Sequence, residues 1–309
     1  MRIPRPADKL PPLRHDRARG IVMRLVAITC FSLMAALIKV AFESGASTPE
    51  IMFYRSALGL PPLLVWIAWQ RNWSAWRTSR PGAHAARGLI GIVSMTLAFS
   101  AIALLPLAEA TTISFAAPLF ALALSAPLLG ERVGGRQWLA VAIGFTGVVV
   151  VAQPGGELPL LGTIVALGAA FGVSLVNVTL RSISRTESTQ TTVLWFTLLV
   201  TFVTGAMLPW FGQWHDPLTT ILLVAIGLTG GVGQIALTSS LRFAPIATLA
   251  PIDYLQLVYA VAFGWLLFDM HPAVTTWLGA GLIIASVLST LARRKKAEDV
   301  GPISAVEEL

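Results

Sequence analysis

Three ionisable residues, Lys39, Arg55 and Asp253, lie inside long apolar runs of this chain rather than at their ends. A charge surrounded by hydrocarbon is costly unless it is paired or faces a cavity, so each is a candidate for binding chemistry. Asp253 follows Pro245 by eight residues, about 12 Å along a helix, which places it near the middle of its run. Its carboxyl suits a cationic group or a coupling proton, and Gln256 shares its helix face at i+3. The structural alternative is a carboxyl bonded to a neighbouring helix for packing specificity. Arg55 sits about one and a half turns inside its run, where a guanidinium grips a carboxylate or phosphate through paired hydrogen bonds. Its alternative is pairing with Glu109, Glu50 or helix-end carbonyls. Lys39 is close enough to a run's end to snorkel, but Thr29, Ser32, Ala36 and Lys39 are spaced 3, 4, 3 and make one small, polar stripe that should point inward.

Polar stripes recur elsewhere: Thr111, Ser114, Pro118 and Ser125; Ser174 and Asn177; Gly227, Gly231, Gln234 and Thr238. Small residues at helix contacts usually serve packing, so of the last two stripes only Gln234 and Asn177 are expected to line a cavity. Pro118, Pro127 and Pro251 interrupt helical hydrogen bonding and offer bending points. Glu109, just after Pro106, reads as a carboxylate at a helix N-terminus.

The elements that must position these groups follow from composition. Of 309 residues 55% are hydrophobic and only 12% are Asp, Glu, Lys or Arg. Soluble domains carry about 25% charged residues, so much of this surface faces lipid. A single cysteine, Cys30, excludes a disulfide scaffold. Ten apolar runs approach the roughly 20 residues that cross a hydrocarbon core of about 30 Å. They cover 21–42, 51–69, 88–105, 108–130, 137–152, 159–180, 190–211, 218–241, 245–268 and 273–292. The expected fold is all-α, a polytopic membrane protein with ten transmembrane helices and no appended soluble domain.

Basic residues fall on alternate connections. The N-terminal tail with Arg24, the Arg71 to Arg87 segment, Arg132 and Arg136, Arg181 and Arg185, Arg242, and the cluster Arg293 to Lys296 account for 20 of 22. The opposite connections hold no Lys or Arg. Because Lys and Arg are retained on the cytoplasmic side, both termini are expected inside. The net charge of +7 is then a topology signal rather than a nucleic-acid surface. The charged tail before a long first run argues against a cleaved signal peptide.

An offset of 139 residues superposes the halves. Gly88 meets Gly227, Gly91 meets Gly230, Pro106 meets Pro245, and Trp138-Leu139 meets Trp277-Leu278. Ser114 falls on Asp253, which makes it a further site candidate. Each half holds five spans, an odd number, so the repeats are inverted. The expected division is a basic tail 1–20, a first repeat 21–153, a second 159–292 and a tail 293–309. Inverted repeats give two nearly equivalent packings, one open to each side, with a ligand site near the midplane.

Residues 87–156 closely resemble EamA-type repeats of the drug/metabolite transporter superfamily, and the resemblance spans essentially the whole chain. The matching marks are Phe53 to Arg55 as F-x-R, the stretch PLAEAT from Pro106 to Thr111, Pro118, and LGER from Leu129 to Arg132. Residues 250–268, APIDYLQLVYAVAFGWLLF, are similar to a subgroup that includes riboflavin and S-adenosylmethionine carriers. In that subgroup a Gly-Glu pair stands where this chain has Phe268-Asp269. The resemblance implies a ten-helix bacterial inner-membrane carrier and names no substrate.

The four histidines fall in tails or loops, and no H-E-x-x-H or Gly-x-Gly-Asp element is present, so an enzyme, a metal centre and a cofactor are not expected. A channel is the weaker rival, since no filter element stands out. The expected function is a secondary-active transporter working by alternating access on a small polar or amphipathic metabolite: a zwitterion, a carboxylate or a cofactor-like solute. Arg55, with Lys39, would hold an anionic group, and Asp253 a cationic group or the coupling proton. Export of lipophilic or toxic compounds, needing only Asp253, is the alternative. The expected partners are the substrate, the lipid bilayer and protons, with a homodimer left open.

Overall fold

The computed structural model describes residues 16–129, 134–152, 158–183, 186–244, 249 and 252–299. Most of both tails, Glu131 and Arg132 of the LGER element, Arg185, Pro245 and Pro251 lie outside the described residues, as do the side chains of Ser125, Pro127, Arg181 and Arg242. All regular structure among the described residues is helical. Span one is α1 (Arg17–Glu43). Span two is α2 (Thr48–Ala57) and α3 (Leu60–Trp69), followed by a short 3-10 turn at Trp73–Trp76. Span three is α4 (Pro81–Leu104), span four is α5 (Leu107–Ser114) and α6 (Ala117–Leu129), and span five is α7 (Gly135–Ala152). In the second half come α8 (Leu160–Ile183), α9 (Thr189–Phe211), α10 (Pro217–Phe243), α11 (Leu255–Phe268) and α12 (Val274–Asp299). Eight spans are long and apolar enough to cross a membrane, and Leu255–Phe268 and Val274–Ser289 are shorter apolar helices, so the protein is a multi-pass membrane protein.

Local chemistry accounts for the helix starts. Asp16 caps α1 by accepting from the Arg19 amide at 3.1 Å. Ser47 and Glu50 form a reciprocal capping box at α2, with Pro49 in the first turn, where a missing N–H costs nothing. Ser188 and Asp216 cap α9 and α10. Large apolar side chains such as Val65, Phe202 and Leu266 are exposed, as a lipid-facing surface requires.

Contacts follow the repeat. Span one packs on spans eight and nine, and its counterpart, span six, packs on spans three and four. Spans two and seven pack on each other, as do five and ten. Exchanging the halves maps this pattern onto itself, which is the pseudo-two-fold of an inverted duplication.

Two spans are broken: span four, where the sequence suggested only bending at Pro118, and span two, for which it suggested no bend. In span two, Pro61 and Pro62 have no N–H, so the carbonyls of Ala57 and Leu58 lose their helical donors and the helix restarts at Leu60. The break is pressed against α10: a Cβ on Gly231 would stand 3.1 Å from the Gly59 Cα, so any larger residue would have to push the crossing apart by a few tenths of an ångström. In span four the helix stops at Ser114 and restarts at Ala117, one residue before Pro118. The position 139 residues after Phe115 is Tyr254, a turn residue just before α11. The two rings meet edge to face at 5.2 Å, so the interruptions of the two repeats touch.

Candidate functional site

A cavity of about 150 Å³ lies between α2, α3, α4, α8, α9 and α10. Arg55 enters it from the last turn of α2, just before the break, while Gln234 and Thr238 line it one turn apart on α10. The Arg55 Nε is buried without a hydrogen-bond partner, and among the described residues no carboxylate or carbonyl bonds its guanidinium. Neither acid weighed as its structural partner reaches it. Glu50 accepts from the amides of Ser47 and Gln213, both at 2.7 Å, and lies 2.9 Å from His215 Nε2. Glu109 accepts from Thr276 Oγ1 at 2.8 Å.

Arg87 forms another part of the wall. In the sequence it closes a string of loop charges and reads as a topology signal. In the structure it is buried about two turns inside α4 and donates from Nη1 to the Thr192 carbonyl at 3.1 Å. Its guanidinium lies 4.8 Å from the Phe196 ring centroid, and its Nε has no partner. Gly88 and Gly91 make this possible, since a Cβ at either would collide with Leu199 or Phe196 of α9. The adjacency of Arg87 to these glycines is the sequence signal that separates it from the loop arginines. Trp66 and Phe196 supply aromatic wall, and no Asp or Glu lines the cavity among the described residues.

The remaining candidates lie elsewhere. Asp253 does not line the cavity, and it pairs with Arg24 through both carboxylate oxygens, joining span one to span nine. Sequence reading placed Arg24 among the topology charges and so missed this partner. Lys39 is buried and donates to the carbonyls of Ile102 and Leu105 at 3.1 and 2.9 Å, capping the C-terminal end of α4, with the Phe268 ring 5.6 Å away. Gln256 lines a much smaller cleft with Ser32 and Thr111, on the flank of α1 away from the main cavity. Asn177 is exposed and Val176 takes its expected place in the wall. Ser114 is exposed and donates to the Thr111 carbonyl at 2.7 Å. The structure thus brings Arg55 and Gln234 together and does not bring Asp253, Lys39, Gln256, Asn177 or Ser114 to them. Contrary to the expected loop position, His84 is buried in the first turns of α4, beside Trp195.

A ten-span bundle of two related halves, broken helices meeting at their junction and a polar cavity inside the bundle define a small-molecule membrane transporter rather than an enzyme. The chain belongs to the EamA-like transporter family, which matches residues 18–153 and 160–292. Among its relatives, a riboflavin transporter of Vibrio cholerae is 25% identical, over 89% of this chain and 93% of its own. A pseudopaline exporter of Pseudomonas aeruginosa is 29% identical, over 90% and 97%. An S-adenosylmethionine uptake transporter of Rickettsia conorii is 29% identical, over 80% and 84%. A solved crystal structure superposes with a TM-score of 0.61 at 23% identity, over 90% of this chain and 100% of its own, a likeness of fold.

Proposed function

We propose that this chain is a secondary-active transporter of the inner membrane, with cytoplasmic termini, that moves a small polar or amphipathic metabolite by alternating access. The observation that carries the reading is the cavity in which Arg55 and Gln234 face each other with no counter-charge among the described residues. An unpartnered guanidinium in a low-dielectric site asks for an anionic group. Wall residues from α2, α3 and α4 of one repeat face those from α8, α9 and α10 of the other, so relative movement of the halves changes access. The end opposite the basic loops is held by Glu50 with His215, by Glu109 with Thr276, and by Lys39 on α4. We therefore assign Lys39 to closure and Arg55 and Gln234 to the cargo. Asp253 is the residue we assign to a coupling proton, and its pair with Arg24 ties that assignment to spans one and nine. The relatives carry unlike solutes in both directions by name, so direction does not follow from kinship.

Counterflow in proteoliposomes tests the reading across amino acids, carboxylates, riboflavin and S-adenosylmethionine. Saturable uptake accelerated by internal substrate, and lowered at least about tenfold in Arg55→Gln, is the expected result. Flux that neither saturates nor shows counterflow would favour a channel.

A further inference from the structure

We propose that the cargo group seated between Arg55 and Arg87 is a small aromatic dianion, a ring bearing two carboxylates or a phosphate, rather than a zwitterion or a cation. This deepens the transporter reading and rests on it. The argument begins with charge. Two guanidinium groups line one cavity, each with a buried Nε that no described residue satisfies, and no described acid lines it to balance them. Guanidinium groups remain protonated at physiological pH, so the empty cavity carries two positive charges in a low-dielectric setting. A ligand with two negative charges removes that cost on both sides, a monoanion on one, and a cation on neither. The zwitterion expected from pairing Arg55 with Asp253 loses its second contact, because Asp253 is bound to Arg24 away from this cavity.

Size and wall chemistry add the ring. A cavity of about 150 Å³ matches the space that holds one benzene-sized group in an apolar protein interior. Trp66, Leu63, Val193 and Phe196 present apolar and aromatic surface, while Gln234 and Thr238 offer neutral hydrogen bonds. Arg87 is already oriented by the Thr192 carbonyl and the Phe196 face, which spend only part of its donor set. The remaining donors make it a specificity-determining contact for the second negative group.

The test uses single-ring probes that differ in charge: phthalate and phenyl phosphate as dianions, benzoate as monoanion, phenylalanine as zwitterion and benzylamine as cation. Binding to the purified full chain in detergent is measured by titration calorimetry and by ligand-induced shift of the unfolding midpoint. Phthalate and phenyl phosphate are expected to bind at least about tenfold more tightly than benzoate, with benzylamine and phenylalanine weaker still. Arg87→Gln should cut the preference for phthalate over benzoate to about twofold, whereas Arg87→Lys keeps part of it. Arg55 and Arg87 are the charged side chains lining the cavity among the described residues, and the titratable neighbours of Arg87, His84 and beyond it Glu187, stand outside the lining, so the pH dependence of phenyl phosphate should follow the probe. Its second ionisation lies near pH 6, and affinity should fall about tenfold between pH 7.5 and pH 5. Benzylamine or phenylalanine binding as tightly as phthalate overturns the proposal, as does a phthalate preference that survives both Arg55→Gln and Arg87→Gln. Saturable counterflow of another solute with which no dianion competes also overturns it while leaving the transporter reading intact. Absence of saturable flux of any solute removes the transporter reading itself.

Discussion

Two regions of the bundle treat buried charge in opposite ways. At the end away from the basic loops, Glu50 takes three donors, from Ser47, Gln213 and His215, and Lys39 is held by the carbonyls of Ile102 and Leu105. In the cavity, Arg55 and Arg87 each keep a buried Nε without a partner, and among the described residues no Asp or Glu lines the wall to neutralise them. The first region pairs Glu50 and Lys39 without a ligand, leaving Glu109 Oε2 buried and unpartnered beside them, whereas the second leaves both of its guanidinium groups partly unpaired. Charge that a fold satisfies internally belongs to closure and stability, whereas charge that it leaves unpaired costs stability in the empty state and is recovered when cargo binds.

The largest effect is expected where pairing is complete. Glu50→Ala strips the acceptor from two amides and His215 at once, and leaves them buried. It should lower the stability of the detergent-solubilised protein by about 3 kcal/mol, and denaturant unfolding followed by tryptophan fluorescence reads this directly. A loss below about 1 kcal/mol would show that the closure is not held by this carboxylate, and the contrast would fail.

Between the two extremes stands Arg24–Asp253, a paired charge that is partly exposed. A double-mutant cycle with Arg24→Gln and Asp253→Asn should return a coupling of about 2 kcal/mol, less than the Glu50 network because solvent reaches the carboxylate. Coupling near zero would place Asp253 back among the groups free for cargo.

Arg55→Met sharpens the comparison because the expected sign reverses. Removing an unpaired buried charge should raise the stability of the empty protein by about 1 kcal/mol, even as transport falls at least about tenfold. Unfolding curves without ligand and counterflow from the same preparations report the two effects. A destabilisation comparable with Glu50→Ala would mean that Arg55 is structural after all.

Much of the architecture was legible because lipid imposes simple rules. Runs of about 20 apolar residues gave the spans, alternate basic loops gave an even count, and one fixed offset gave the duplication. The site was legible only in part. Arg55 stands out because nothing in a transmembrane run excuses a lone guanidinium, and Gln234 because it follows a glycine stripe. Arg87 and Arg24 were hidden for one shared reason: each lies within about two turns of a basic end, where a topology charge and a site residue read alike. Asp253 stands out as an acid inside an apolar run, but its partner depends on packing across more than two hundred residues of separation, which no local pattern encodes. The breaks at Leu58–Gly59 and Phe115–Ala116 depend likewise on what crosses them. Pro61 and Pro62 mark the first, whereas the meeting of Phe115 with Tyr254 emerges only from the folded repeat.

The smallest effect lies on the surface, between two connections on the side of the basic loops. The loop after span two and the loop after span six are tied by Glu187, which accepts from the Ser79 amide, Ser79 Oγ and Thr78 Oγ1, each at 2.9 Å. Burial pushes its pKa up, but these hydrogen bonds, aided by the charge of His84, outweigh it and hold the carboxyl below its ordinary value. A depressed folded pKa contributes stability that is fully present above the unfolded carboxylate value of about 4.3 and is lost as pH falls through the folded value. Wild-type stability should therefore decline from about pH 5 downward more steeply than that of Glu187→Gln, with a difference of less than about 1 kcal/mol because solvent screens the site. Unfolding midpoints of the two proteins across pH 3.5 to 7 measure it. Parallel profiles would show that the tie does not discriminate a carboxylate from an amide. A difference as large as that of Glu50→Ala would move this loop contact from the surface into the same class as the closure at the opposite end.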